Sequence, residues 1–151
     1  MTDEGSLRPA SPADLDAIWA IERDVFAADA WTREMLREEL TGPHRHYLVA
    51  VDSEQEVVGY AGLLVVGGDG DVQTIAVTPS ARGRRLGRRL MDALLEEAAR
   101  RGARQVFLEV RADNPIARNL YATLGFQEIG VRPRYYQPDG VDAVVMTKDL
   151  R

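Results

Sequence analysis

Two side chains and one cluster of charge in this sequence have the makings of chemistry. Glu109 interrupts the apolar run Val106-Phe107-Leu108-Glu109-Val110. An unpaired carboxylate is costly to bury, so it must be ion-paired, raised in pKa or open to a cleft. An ion pair with Arg111 or with a neighbouring strand is the structural alternative to a general base. Tyr121 follows on a helical segment in which Ile116, Leu120 and Leu124 share one face, leaving the phenol about a quarter-turn away, off the core. Such a tyrosine is either a packing residue with a wet hydroxyl or a proton donor. The charge cluster is Arg82, Arg84, Arg85, Arg88 and Arg89, interleaved with Gly83 and Gly87 at the start of a helix. Cations are unfavourable at that end, where the macrodipole is positive and N–H groups lack partners. A phosphate group would answer both, with the glycines letting it approach the backbone, whereas a solvated basic face is the bland alternative. The Gly-Lys-Ser/Thr ending of a nucleoside-triphosphate loop is absent.

The elements that must position these groups follow from periodicity. Val72 to Val77 reads as a strand, broken by Pro79, Ser80 and Gly83. A helix beginning near Arg84 then carries Leu86, Leu90, Leu94 and Ala98 on one stripe and ends at Arg100-Arg101-Gly102. The run around Glu109 suits a strand covered on both faces. Asn114 caps the following helix with Pro115 at its first position, and Gly125 ends it. Phe126 to Val131 and Ala143 to Lys148 form a closing hairpin around Tyr135, Tyr136, Pro138 and Gly140.

Upstream, residues 1–5 read as a disordered lead and Leu7 to Pro9 as a short edge strand, since Pro9 cannot donate to a ladder. Ser11-Pro12 opens a helix bearing Leu15, Ile18, Trp19 and Val25, with Trp19 in the core. Thr32 caps a second helix with Met35, Leu36 and Leu40 inward and Gly42-Pro43 as its stop. Trp31, just before that cap, is placed as a hydrophobic staple or as lining for an acceptor pocket. His44 and His46 fall in a polar turn without a visible third ligand, so no metal is expected. Tyr47 to Val51, Val57 to Val66 and Val72 to Val77 read as three antiparallel strands.

Length and composition narrow the function classes. The 151 residues fit one domain, 1–151, and with no cysteine there is neither a disulfide framework nor a thiol nucleophile. The net charge of −5 argues against general nucleic-acid binding and favours a basic acceptor. There is no signal-peptide pattern and no membrane-length apolar run, so a soluble, cytoplasmic protein is expected, a monomer or weak dimer.

The arginine-glycine segment resembles the acyl-coenzyme A loop of the GCN5-related N-acetyltransferases. Arg82 and Gly87 match that pattern, and Arg85 stands where the family has its first glycine. The order of elements is also that family's, and the resemblance covers essentially the whole chain. It is closest to the ribosomal-protein-alanine N-acetyltransferases, through Thr74 to Val77, Leu108 to Asn114, Leu120 to Phe126, and Arg134-Tyr135-Tyr136 with Asp139-Gly140. The resemblance implies an α/β fold: a mixed sheet, mostly antiparallel with a parallel central pair, and helices on both faces. It implies Glu109 as general base and Tyr121 as general acid. Acetyl-coenzyme A is implied as co-substrate, its pantetheine along Ile75, Ala76 and Val77, its pyrophosphate on Gly83, Arg84, Arg85, Leu86, Gly87 and Arg88, with a further contact at Asn114. The acceptor implied is a protein N-terminal amine, of a small-subunit ribosomal protein beginning with alanine. A polyamine or aminoglycoside acceptor, or a non-catalytic coenzyme A-binding module, are the rival readings. Trp31, Tyr135 and Tyr136 are candidate acceptor contacts; a tyrosine pair in a hairpin can equally be cross-strand packing.

Overall fold

The computed structural model describes residues 6–27, 30–83 and 85–150. The expected disordered lead and Arg84 lie outside these. Seven strands form one sheet: β1 (Ser6–Pro9), β2 (Arg45–Val51), β3 (Val57–Val66), β4 (Asp69–Val77), β5 (Gln105–Arg111), β6 (Gln127–Tyr136) and β7 (Val141–Asp149). Their order is β1-β2-β3-β4-β5-β7-β6, antiparallel except for the parallel β4–β5 pair. The Pro9 strand is at an edge, where a missing N–H is tolerated.

Helices cover both faces. On one side lie α1 (Leu15–Phe26) and α2 (Arg33–Thr41), packing Leu15, Ile18, Ile21 and Leu36 against Val49, Val51, Tyr60 and Ala76. On the other, α3 (Leu86–Arg100) and α4 (Pro115–Thr123) enclose a larger core with Leu90, Met91, Leu94, Val106, Leu108, Val110 and Tyr121. Local signals set the helix ends. Thr32 Oγ1 accepts from Met35 N at 3.1 Å, and Asn114 Oδ1 accepts from Ala117 N at 3.1 Å, each satisfying an otherwise orphaned donor. Gly102 and Gly125, at φ 88° and 99°, supply the left-handed stops that side chains resist.

Some expectations shift. The segment after Ser11 first makes a 3-10 turn, Pro12–Asp14, before α1 begins. Met35 is exposed, because the α2 stripe facing the sheet is narrow and only Leu36 is fully buried. Trp19 is half-buried beneath the Arg23 guanidinium, 4.0 Å from the ring centroid. His46 belongs to β2, leaving only His44 in the turn, at φ 67°. Among the described residues, no group of three metal-ligating side chains is gathered, and no helix is long and apolar enough to cross a membrane.

The β4–β5 seam is short. Only Asp69↔Gln105, Gly70↔Val106 and Asp71↔Phe107 are paired. Directly beyond Asp71, the β3–β4 register shifts, with Gly62 opposite Thr74 but Leu63 opposite Val72, so Gln73 is an extra residue. A bulge bends and twists its strand. Here it carries Val72 to Val77 away from β5 and opens the sheet.

Candidate active site

The opening between the diverging strands is a cleft of about 430 Å³. Val72 to Val77 form one wall and Leu108 to Arg111 the other, with Trp31, Arg82, Gly87, Asn114, Tyr121 and Tyr136 completing it. Of the residues singled out in the sequence, Ile75, Ala76, Val77, Arg82, Gly87, Glu109, Asn114, Tyr121, Trp31 and Tyr136 thus converge on one space. Gly83, Arg85, Leu86, Arg88 and Tyr135 lie outside its lining.

The gap pierces the sheet, and its two candidate proton-transfer groups lie on opposite faces. Leu108 and Val110 belong to the core beneath α3, so the intervening Glu109 projects from the other face, on the α1–α2 side. Its carboxylate is partly exposed, at 28% of its side chain, and is ion-paired with Arg132, whose Nε lies 2.8 Å from Oε2. The Tyr135 phenol is also beside this carboxylate, and its pKa is raised by burial first and by Glu109 second. The ion-pair partner is therefore Arg132 on β6 rather than Arg111, whose guanidinium is drawn off by Asp113 at 3.0 Å and Asp139 at 3.2 Å. Asp71 lies near enough to Glu109 for its pKa to be raised, by burial first and by that carboxylate's charge second.

Tyr121 is on the α3–α4 face, and not where helical periodicity put it. It is only 7% exposed and makes an edge-to-face contact with Phe126, centroids 6.1 Å apart, while Ile116, expected inward, is 83% exposed. α4 is rolled so that Tyr121 rather than Ile116 faces the sheet. Burial pushes the phenol up to about 12, so it stays protonated throughout the physiological range.

Around the arginine segment, the helix begins at Leu86 rather than near Arg84. Arg85 precedes it at φ 60°, ψ 22°, in the left-handed region, and its carbonyl accepts from Arg89 N at 3.0 Å. The position where Arg85 replaces the usual glycine thus has the backbone that glycine favours. Gly83 shares that need at φ 85°. Gly87 does not: an added Cβ would meet no protein atom nearer than Leu120 Cδ2 at 3.7 Å, so the protein's own packing does not demand glycine there. Leu86 is core, Arg88 Nη1 donates to Thr123 Oγ1 at 3.0 Å, and Arg82 Nε donates to the Val77 carbonyl at 3.2 Å.

Trp31 lines the cleft and is partly buried against the apolar cluster that holds Leu36. Tyr135 and Tyr136 pack edge to face, centroids 5.1 Å apart. Tyr136 lies beneath Arg111 in the cleft, and Tyr135 turns to Glu109. Sequence reasoning passed over Glu22, Val25, Phe26 and Leu120, all of which line the cleft. For Glu22 a signal existed: a carboxylate beside Ile21, one turn from Ile18 and three residues before Val25, on the buried face of a helix.

Comparison with known proteins agrees with this architecture. The model of the Acetyltransferase (GNAT) family matches residues 15–126. The chain is 42% identical over 142 residues to the N-alpha-acetyltransferase RimI of Mycobacterium tuberculosis, covering 91% of this chain and 87% of that one. It is 40% identical over 146 residues to an uncharacterised Mycobacterium leprae protein, covering 93% of this chain but only 40% of that longer protein. The crystal structure of the ribosomal-protein-S18-alanine N-acetyltransferase from Escherichia coli superposes with a TM-score of 0.88 at 30% identity, over 97% of this chain and 94% of that one. The cleft, the sheet that opens to make it and the matched sequence together place this chain in the GNAT family, as an acetyl-coenzyme A-dependent N-acetyltransferase.

Proposed function

We propose that the chain transfers acetyl to the N-terminal α-amine of a protein, the alanine of a small-subunit ribosomal protein being the foremost acceptor. The observation that carries the mechanism is the placement of Glu109 and Tyr121 on opposite faces of one gap in the sheet. An amine attacking from the α1–α2 face has Glu109 beside it, and a sulfur leaving on the α3–α4 face has Tyr121.

Acetyl-coenzyme A supplies the thioester. The cleft suits it: from Val72 to Val77 the β5-facing edge of β4 has no strand pairing, so main-chain groups are open to a pantetheine. Ile75, Ala76 and Val77 would hold that arm, with N–H groups near Val77 facing the developing oxyanion. Gly83, Arg84, Arg85, Leu86, Gly87 and Arg88, with Arg82, would hold the pyrophosphate at the start of α3, where the missing side chain of Gly87 leaves its backbone approachable. Asn114 at the cleft rim adds a contact.

Glu109 takes the ammonium proton, directly or through one water, leaving the neutral amine to form the C–N bond as the C–S bond breaks. The second proton shed by that nitrogen as the amide forms ends on the departing sulfur, which leaves as the coenzyme thiol. Tyr121 donates to the departing sulfur. A phenol near 12 and a thiol near 8.5 make complete proton transfer uphill by about 5 kcal/mol, so its larger contribution is a hydrogen bond to the sulfur as charge accumulates there. An α-amine of pKa about 8 needs roughly 1.4 kcal/mol to deprotonate at pH 7, against roughly 4.6 for lysine, which favours an N-terminal acceptor. The Escherichia coli relative's ribosomal S18 alanine supports the same choice, and Asp71 beside Glu109 suits a cationic chain. Trp31 and Tyr136 would flank the incoming peptide, with Tyr135 beside Glu109 as a further acceptor contact.

Release of coenzyme A thiol tests this, offering a peptide that begins with alanine, its N-blocked twin carrying a lysine, and spermidine. Turnover with the free alanine peptide alone is expected. Turnover with spermidine alone overturns the acceptor, and coenzyme binding without any turnover overturns the enzymatic reading.

A further inference from the structure

Glu22 is a buried carboxylate for which the transfer of acetyl has no evident use. It is 2% exposed, on the sheet-facing side of α1, and its surroundings raise its pKa through burial. Three donors from three segments converge on it: the Tyr60 hydroxyl on β3, Thr74 Oγ1 on β4 at 3.3 Å, and the Trp31 backbone N–H at 2.9 Å. Burying a charge this way is a poor route to stability, since a packed apolar residue of the same size commonly does as well or better. What the carboxylate fixes instead is geometry. Thr74 immediately precedes Ile75 in the strand wall that has left its β5 partner, and Trp31 is the residue before the α2 cap whose side chain lines the cleft. α1, α2 and Glu109 share one face of the sheet, so this junction stands on the side from which the amine would approach.

We propose that Glu22 is a positioning residue that holds Trp31 in register with the β4 wall, and so sets affinity for the amine-bearing acceptor rather than the rate of acyl transfer. The direction of acceptor approach rests on the function proposed above; the Glu22–Trp31 tie does not.

Hydrogen exchange of the unmodified protein reads the tie directly: the Trp31 amide is expected to be protected by about 100-fold or more over an open chain. An amide exchanging at the open-chain rate overturns the proposal. In Glu22→Gln, KM for the alanine peptide is expected to rise about fivefold or more, while kcat and KM for acetyl-coenzyme A stay within about twofold. Trp31→Ala, which leaves the carboxylate in place, is expected to raise the same KM, so the inference stays testable if Glu22→Gln fails to fold. An unchanged acceptor KM in Trp31→Ala, or a fall in kcat alone in Glu22→Gln, overturns it. If the wild type acetylates spermidine and not the peptide, the proposed function fails while the Glu22 inference is read on spermidine KM and on the Trp31 amide.

Discussion

Arg132 Nε lies 2.8 Å from Glu109 Oε2, joining β6 to β5 across the intervening β7. The carboxylate that stands out in an apolar run is therefore compensated by a cation about twenty residues downstream, and retains room for a second partner in the cleft. Glu109→Gln keeps the shape and removes the carboxylate proposed as the base. Its kcat is expected to fall about 10²- to 10⁴-fold, with acetyl-coenzyme A affinity within about threefold of wild type by titration calorimetry. Unchanged turnover with a good acceptor would remove Glu109 from the mechanism.

Tyr121→Phe separates the phenol's two effects. Turnover is expected to fall about 10²-fold while the edge-to-face contact with Phe126 persists. The group's pKa is raised on folding, so its neutral form is favoured in the native state. Native stability is thus intact below the unfolded value near 10 and declines as pH climbs through about 12. Denaturant melts between pH 9 and 11 should show the wild type losing more stability than Tyr121→Phe, by on the order of 1 kcal/mol. Equal losses would mean that the hydroxyl is solvated.

Arg85 holds a left-handed backbone without being glycine. Arg85→Gly is expected to raise the thermal stability of the free protein by up to about 1 kcal/mol, the relief of that conformation exceeding glycine's greater chain entropy. Arg85→Ala keeps the strain and loses the charge. An order of melting temperatures with Gly above both Arg and Ala supports the backbone assignment; Ala above Gly contradicts it.

Gly62 lies under the Tyr47 ring, where an added Cβ would come within 2.2 Å of Cζ. Tyr47 is itself fixed by its hydroxyl bond to Glu39 Oε1 at 2.9 Å, which joins β2 to α2. Gly62→Ala should cost more than about 2 kcal/mol in urea melts, as overpacking against an immovable ring does. A near-neutral result would show that Tyr47 can swing aside.

Much of this was legible beforehand for a physical reason: caps, glycine stops and apolar periodicity are local, and each of Thr32, Asn114, Gly102 and Gly125 acts where its type predicts. Glu109 was legible because charge in an apolar run is improbable without a partner. The partner was not, since Arg132 reaches it through a β6–β7 pairing that no spacing reveals. Tyr121 and Ile116 exchanged places because the roll of a nine-residue helix is decided by what it packs against rather than by its own stripe. The bulge at Gln73 left no mark in composition, yet it determines where β4 leaves β5.

That departure has an energetic corollary. A void of about 430 Å³ made by trimming core side chains would, at about 24 cal/mol per Å³, forfeit about 10 kcal/mol, which is comparable to the whole stability of a domain this size. Here the space comes from ending a ladder after three register pairs, where water can solvate the freed amides and carbonyls. The hydrophobic layers on either side remain filled, so the protein can hold an open cleft through its middle and still be closely packed above and below it.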